Sequence, residues 1–426
     1  MRANLFAVLI GMLCVAGCGG GGSNLGGGGG GGGGPTPTGS NVQAIVVDSG
    51  PAKIASSNTP AINTAYTTVK ICAPGSTTIC QTIDHIQVDT GSSGLRILSE
   101  VLTITLPVQK DTTGNVIAEC VGFVDGSSWG PVRQADVNIG GETALAQEVQ
   151  IIGDTSYTVP STCKGAGATS TDPNLEETVL AFGANGILGV APFVSDCGPA
   201  CLQQNNGTYY TCATTTTCAV SAMAEKLQVS NPVAAFTTDN NGVIIQLPSV
   251  ATSGTAAVNG SLIFGVGTQS NNMLGGATVF NLGNSGYLTT KYKLGTLNTS
   301  FIDTGSNAWY FPDSSIPGCS TNKGFYCPAG GDAALQATLV NPVNNATKLV
   351  NFSVTNADSL FQNSKSVIGA TSGLAGDSSQ FATSGSGSIN GSNVFDYGLP
   401  FHYGKSVFVV IEGKNSSAGM GPYFAF

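Results

Sequence analysis

Apolar and polar residues alternate with a period of two along most of this chain. Such runs are "TAYTTVKIC" (64–72), "TIDHIQV" (82–88), "QADVNIGG" (134–141), "LAQEVQII" (145–152), "GVIIQL" (242–247), "GSLIFGV" (260–266) and "KSVFVVIEG" (405–413). A period of two sends successive side chains to opposite faces, the mark of half-buried strands. Gly, Asn, Asp and Pro punctuate the runs as turn residues. Helical spacing is scarce, and only "AVSAMAEKLQ" (219–228) and "DAALQATL" (332–339) are expected to be helical. The pattern predicts an all-β body.

The first forty residues depart from this pattern. Met1-Arg2 precedes an apolar run too short to span a bilayer, ending in "VAGC" at Val15–Cys18. That ending resembles the bacterial lipobox. The resemblance implies a signal peptide over 1–17 and a lipidated Cys18 that holds the protein to a bilayer without a spanning helix. Gly19, not Asp, follows the cysteine, which implies the outer membrane of the cell envelope. Residues 18–40 carry the cysteine and a glycine-rich tether with nothing to bury. A coil of about 20 such residues reaches roughly 25 Å, enough to hold a domain clear of a lipid surface.

Composition narrows the possible partners. Only 9% of residues are charged, the net charge is −9, and no basic cluster follows Arg2. Nucleic acid is therefore excluded as an expected ligand. Setting aside Cys14 and Cys18 leaves ten cysteines, an even number suited to disulfides in an oxidising compartment. Cys72 with Cys80, Cys319 with Cys327, and Cys120 with Cys163 are the expected pairs. Cys197, Cys201, Cys212 and Cys218 share one insertion, and their spacing leaves three pairings open. A metal site there is disfavoured by export and by the lack of a C-x-x-C spacing. No metal or cofactor is expected.

The chemistry sits in a doubled motif. "QVDTGSSG" (87–94) and "FIDTGSNA" (301–308) each place Asp-Thr-Gly-Ser after a β-prone apolar run. Each is followed by an apolar-Gly element, "NGILGVAPF" (185–193) and "FDYGLPFHYG" (395–404). Asp89 precedes Gly189 by 100 residues and Asp303 precedes Gly398 by 95. This is duplication at the scale of a lobe. Two aspartates at facing turn tips cannot both ionise at short range, so they share a proton and can activate a water between them.

These residues resemble the pepsin-like, two-lobed aspartic peptidases over most of 60–426. The resemblance implies a pepsin-like all-β fold with an N-terminal lobe over 41–270, a C-terminal lobe over 271–426, and the active cleft between them. It implies a monomeric endopeptidase acting on polypeptide, with Asp89 and Asp303 as the catalytic pair. Thr90, Gly91, Ser92, Thr304, Gly305 and Ser306 would support them, the two serines holding the outer carboxylate oxygens. "FVDGSSWG" (123–130) falls on the family's flap hairpin, with Phe123, Asp125 and Gly126 facing substrate. Phe123 stands where the family has a tyrosine, and Asp396 where it has an apolar residue.

Other readings compete with this one. A catalytically weak or inactive binding lipoprotein would keep the two lobes without turnover. "GSSWG" (126–130) matches the G-x-S-x-G serine elbow at Ser128, but that elbow needs a helix after its strand, and the sequel alternates as a strand. His85 falls on a strand entering the first turn, and His402 is expected to be structural. Trp129 and Trp309 read as packing residues, Trp129 being near enough to the flap to touch substrate. Arg96 reads as a solvated charge or a cleft-wall cation.

Overall fold

A computed structural model describes residues 38–426 apart from 125, 164–173, 204, 284–285, 364, 370–372 and 382–389. The alternating runs become strands. Gly242–Leu247 coincides with its predicted run, and Ala65–Cys72, Cys80–Asp89, Ser127–Ile139, Glu142–Ile152, Val258–Phe264 and Lys405–Val410 overlap theirs. Two large sheets hold most of the described strands. The fold is all-β and two-lobed, of the pepsin-like kind.

The lobes repeat one local topology. In the first, Cys80–Asp89 runs parallel to Gly186–Val190, which runs antiparallel to Ser93–Leu98, which is parallel to Glu142–Ile152. In the second, Gly295–Ile302 runs parallel to Val394–Tyr397, which is antiparallel to Trp309–Tyr310, which is parallel to Ala375–Gly376. Each apolar-Gly element thus threads between the strand entering a DTGS turn and the strand leaving it.

A third set of strands ties the lobes together. Val42–Val47, Val258–Phe264, Gly242–Leu247, Lys405–Val410, Tyr423–Ala425 and Val279–Asn281 follow one another as hydrogen-bonded neighbours. They come from the start, middle and end of the chain, so neither lobe closes this layer alone. Asn63 adds a buried polar link. Its side chain donates to Asn307 O and accepts from Ile368 N and from the Tyr403 hydroxyl. Its φ of 49° lies in the left-handed region that asparagine tolerates better than most residues.

Both expected helices are absent. Residues 217–220 form the second strand of a hairpin with Tyr209–Thr214, and only a 3-10 turn, Glu225–Leu227, follows. The Cys212–Cys218 disulfide closes that hairpin, and pairing prevails over the helix propensity of Ala and Met. Ala333–Val340 is a strand paired on both sides, with Leu288–Tyr292 and Thr347–Val354. A central ladder there outweighs the weak helical preference of Ala, Leu and Gln.

The disulfides are Cys72–Cys80, Cys120–Cys163, Cys197–Cys201, Cys212–Cys218 and Cys319–Cys327. The insertion therefore pairs its cysteines with near neighbours, and their sulfurs are not free to hold a metal. No helix among the described residues is long and apolar enough to cross a membrane. Cys18 and the tether up to residue 37 lie outside the described residues.

Candidate active site

Each DTGS turn holds its aspartate by the same local bonds. Asp89 ends its strand, and Asp303 follows directly on Ile302. In the first turn Gly91 N donates to Asp89 Oδ1 at 2.7 Å and Ser92 Oγ to Oδ2 at 2.5 Å. In the second, Gly305 N donates to Asp303 Oδ1 at 2.7 Å and Ser306 Oγ to Oδ2 at 2.9 Å. The inner oxygen of each carboxyl thus takes a backbone proton and the outer one a serine hydroxyl. Both aspartates are buried, at 5% and 1% exposure.

The two turns are locked across the lobes by an exchange of threonines. Thr90 Oγ1 donates to Ile302 O at 2.8 Å and accepts from Thr304 N at 3.0 Å. Thr304 Oγ1 donates to Val88 O at 2.8 Å and accepts from Thr90 N at 3.1 Å. Every bond has its counterpart under a twofold exchange, 214 residues away. Gln87 adds one bond without a counterpart, donating to Gly305 O at 2.9 Å.

Glycine is required in both turns by the close approach. A β-carbon on Gly91 would sit 2.8 Å from Asp303 Oδ1, and one on Gly305 would sit 2.5 Å from Asp89 Oδ1 and 2.9 Å from Asp303 Oδ1. Either contact is too short for a real carbon. The inner oxygens of the pair therefore face the same small space. Burial, then the charge of Asp303 and their hydrogen bond, push the Asp89 carboxyl up to about 7. A pair so placed keeps one proton across the acidic range and presents both an acid and a base to whatever lies between the lobes.

A third acid stands beside the pair. Asp396 is fully buried on Val394–Tyr397, and burial followed by the charge of Asp303 pushes its carboxyl well above the usual range. An acid within an apolar run was its only sequence signal, and its neighbours depend on strand register that the sequence does not display. His402, also fully buried, is held neutral, burial pushing it down to about 3.

The hairpin of Val116–Gly122 and Ser127–Ile139 carries Phe123 and Gly126 at its turn. Phe123 N donates to Gly126 O at 2.7 Å, and the half-buried Phe123 ring meets Phe182 edge-on at 5.8 Å. Phe123 packs on the cluster containing Leu98, Ile152, Val179 and Ile187. A β-carbon on Gly126 would press on the Glu176 side chain at 2.8 Å. Asp125 lies outside the described residues.

Several expectations are corrected here. Arg96 is neither solvated nor on a cleft wall. It is fully buried, its Nη2 reaching Glu119 Oε1 at 2.8 Å and Asp196 Oδ2 at 2.7 Å. The Tyr209 hydroxyl also donates to Asp196 Oδ1, at 2.8 Å. The partners lie 23 and 100 residues from Arg96 in sequence, so no local pattern announced them. Trp129 does not reach out to substrate; it is buried edge-on to Tyr210 and donates from its indole to Tyr157 O at 3.1 Å. Ser128 is buried inside the long strand Ser127–Ile139, without the helix a serine elbow requires.

Fold and site together define a two-lobed, pepsin-like β protein with an aspartate pair at the junction of its lobes. Residues 37–426 match the family model described as "Protein of unknown function (DUF3443)", and the chain belongs to that family. No curated protein matches it. Among solved structures it is similar to the aspartic proteinase from Irpex lacteus. The two share 14% identity at a TM-score of 0.49, over 90% of this chain and 96% of the other.

Proposed function

We propose that this protein is an aspartic endopeptidase, exported and anchored in the bacterial cell envelope through a lipidated Cys18. The observation that carries the reading is the buried carboxyl pair of Asp89 and Asp303, whose inner oxygens face the same small space, each with a serine on its outer oxygen. Asp303 is the base and Asp89 the acid. A water bound between them gives a proton to Asp303 as its oxygen attacks the scissile carbonyl, and Asp89 protonates the carbonyl oxygen. The product is a tetrahedral diol with no bond to the enzyme. On collapse Asp303 passes its proton to the leaving nitrogen, and Asp89 regains one from the diol. No metal or cofactor enters.

The test is cleavage of an unfolded protein by the full chain between pH 3 and 7, with and without a statine-type transition-state mimic. Asp89→Asn and Asp303→Asn are each expected to lower hydrolysis by a factor of about 10³ or more. The double variant should lose little beyond that, because the pair acts as a unit. Cleavage that persists in both single variants overturns the reading. Anchoring is checked separately: Cys18→Ser should lose acylation and leave the membrane fraction, and a wild-type Cys18 without lipid removes this part of the proposal.

One observation favours a second reading, a binding lipoprotein that keeps the cleft without turnover. Phe123 puts a ring without a hydroxyl at the hairpin turn. Tight binding of the statine mimic with no cleavage at any pH would select that reading.

A further inference from the structure

Asp396 is a buried carboxyl to which the peptidase reading gives no task. Its strand, Val394–Tyr397, sets it opposite Phe301 on one side and Tyr310 on the other. The residues after it are stitched to the second DTGS turn: Asp303 N donates to Tyr397 O at 3.1 Å and Leu399 N to Ser306 O at 2.7 Å. Ser306 is the hydroxyl beside the Asp396 carboxyl. Yet neither Asp396 oxygen meets a partner in hydrogen-bond geometry. A buried carboxylate without donors is costly, whereas a neutral acid needs only one acceptor for its proton. Ser306 Oγ, whose own proton goes to Asp303 Oδ2, has lone pairs to accept it.

The pseudo-twofold supplies the contrast. Gln87 faces Ile187 in the first lobe as Phe301 faces Asp396 in the second. Position 187 is apolar, so only the Asp303 side carries a third acid. The pair is thereby electrostatically unequal although its backbone is nearly symmetric.

The geometry points to Asp396 as a positioning residue of the pair. As a neutral acid it hydrogen-bonds Ser306 Oγ, strengthens the Ser306 donation to Asp303, and so keeps the negative charge on Asp303 and the proton on Asp89. Its consequence for catalysis rests on the peptidase reading; the hydrogen-bond chain does not. Burial and the charges of Asp303 and Asp89 favour the neutral form of Asp396 and outweigh the Ser306 hydroxyl, which favours the charged form. Around it stand Tyr310 on the facing strand and Tyr397 in its own. Asp377 caps the turn packed on that strand, and His402 and Lys405 lie just beyond the 396–399 segment.

Carboxyl ¹³C NMR of the aspartate-labelled full chain tests this without needing turnover. In the wild type the Asp396 signal, identified by its loss in Asp396→Asn, should remain that of a protonated acid up to pH 7. Asp396→Asn keeps an N–H donor and should leave the first ionisation of the pair within a few tenths of a pH unit of wild type. Asp396→Val and Ser306→Ala each break the chain and should raise that midpoint by about one pH unit, since a donor to the charged form is lost. The acid limb of any pH–rate profile should move with it. An Asp396 that ionises below pH 5, or a folded Asp396→Val with an unchanged titration of the pair, overturns the inference. If Asp396→Val does not fold, the wild-type titration and Ser306→Ala still decide. The expected titrations without hydrolysis would sink the peptidase reading alone; hydrolysis with an unchanged titration would sink this inference alone.

Discussion

At Gly305 the two halves of the molecule come within a carbon atom's width of each other. A β-carbon there would lie 2.5 Å from Asp89 Oδ1, an oxygen already tied to Gly91 N. Asp89 cannot retreat, because Ser92 holds its other oxygen. Gly305→Ala should therefore spread the carboxyls by a fraction of an ångström to an ångström while disturbing little else. A misplacement of that size costs on the order of 100-fold in rate. The expected outcome is hydrolysis reduced by about that factor, with a thermal midpoint close to wild type, measured on the same preparation. Full activity would mean that the turns are looser than these contacts imply. At this scale the sequence displays the DTGS residues but not their company. The glycine following each Asp-Thr is legible as a turn residue. That it must be glycine because a carboxylate 212 (Gly91 to Asp303) or 216 (Gly305 to Asp89) residues away fills the space is visible only in three dimensions. Asp396 is the same case: an acid in an apolar run is noticeable, while its adjacency to Ser306 depends on strand register.

Among the elements, the pattern of short apolar runs between turn residues identified the strands and their approximate limits, although some, such as Gly242–Leu247, are buried on both faces. It failed where propensity competed with pairing. Residues 332–339 carry Ala, Leu and Gln, yet they sit between two partner strands, and a ladder on both sides decides the matter. Residues 219–228 are drawn into a hairpin closed by a disulfide. Arg96 shows what such pairing then builds. It lies on Ser93–Leu98, which leaves the first DTGS turn, and it binds Glu119 on the hairpin strand Val116–Gly122 and Asp196 in the loop beyond Gly186–Val190. Burial opposes its charge, but the two carboxylates more than offset this and raise its pKa. Breaking such a cluster by removing its cation leaves two buried acids facing each other. Arg96→Met should thus lower stability by about 3–5 kcal/mol, read from denaturant unfolding with the disulfides intact. A loss below about 1 kcal/mol would show that water reaches the cluster.

For the whole molecule, the legible feature is duplication: two DTGS turns, two apolar-Gly elements and nearly equal spacings. The structure adds the consequence that neither lobe is self-sufficient, since the threonine exchange and the shared strand layer both cross between them. Bringing two aspartates together at that junction has a thermodynamic signature that needs no substrate. In the unfolded chain Asp89 ionises near 3.9, while in the folded protein burial and Asp303 push it up to about 7. Between those limits the folded state binds more protons than the unfolded state. Stability must then be fully present below about pH 4 and fall as pH rises towards 7, the slope following the difference in bound protons. The size is on the order of a few kcal/mol, since each pH unit of displacement corresponds to about 1.4 kcal/mol. Asp89→Asn removes one titrating group and leaves Asp303 without a like charge beside it. The variant should therefore lose the share of this decline that Asp89 carries, while the share of the buried Asp396 remains, and it should be more stable than wild type relative to pH 4 at the upper end. Unfolding midpoints of both proteins across that range make the comparison. Parallel curves would mean that the two carboxyls do not share a proton, and the lobes would then meet at this point for structural reasons alone.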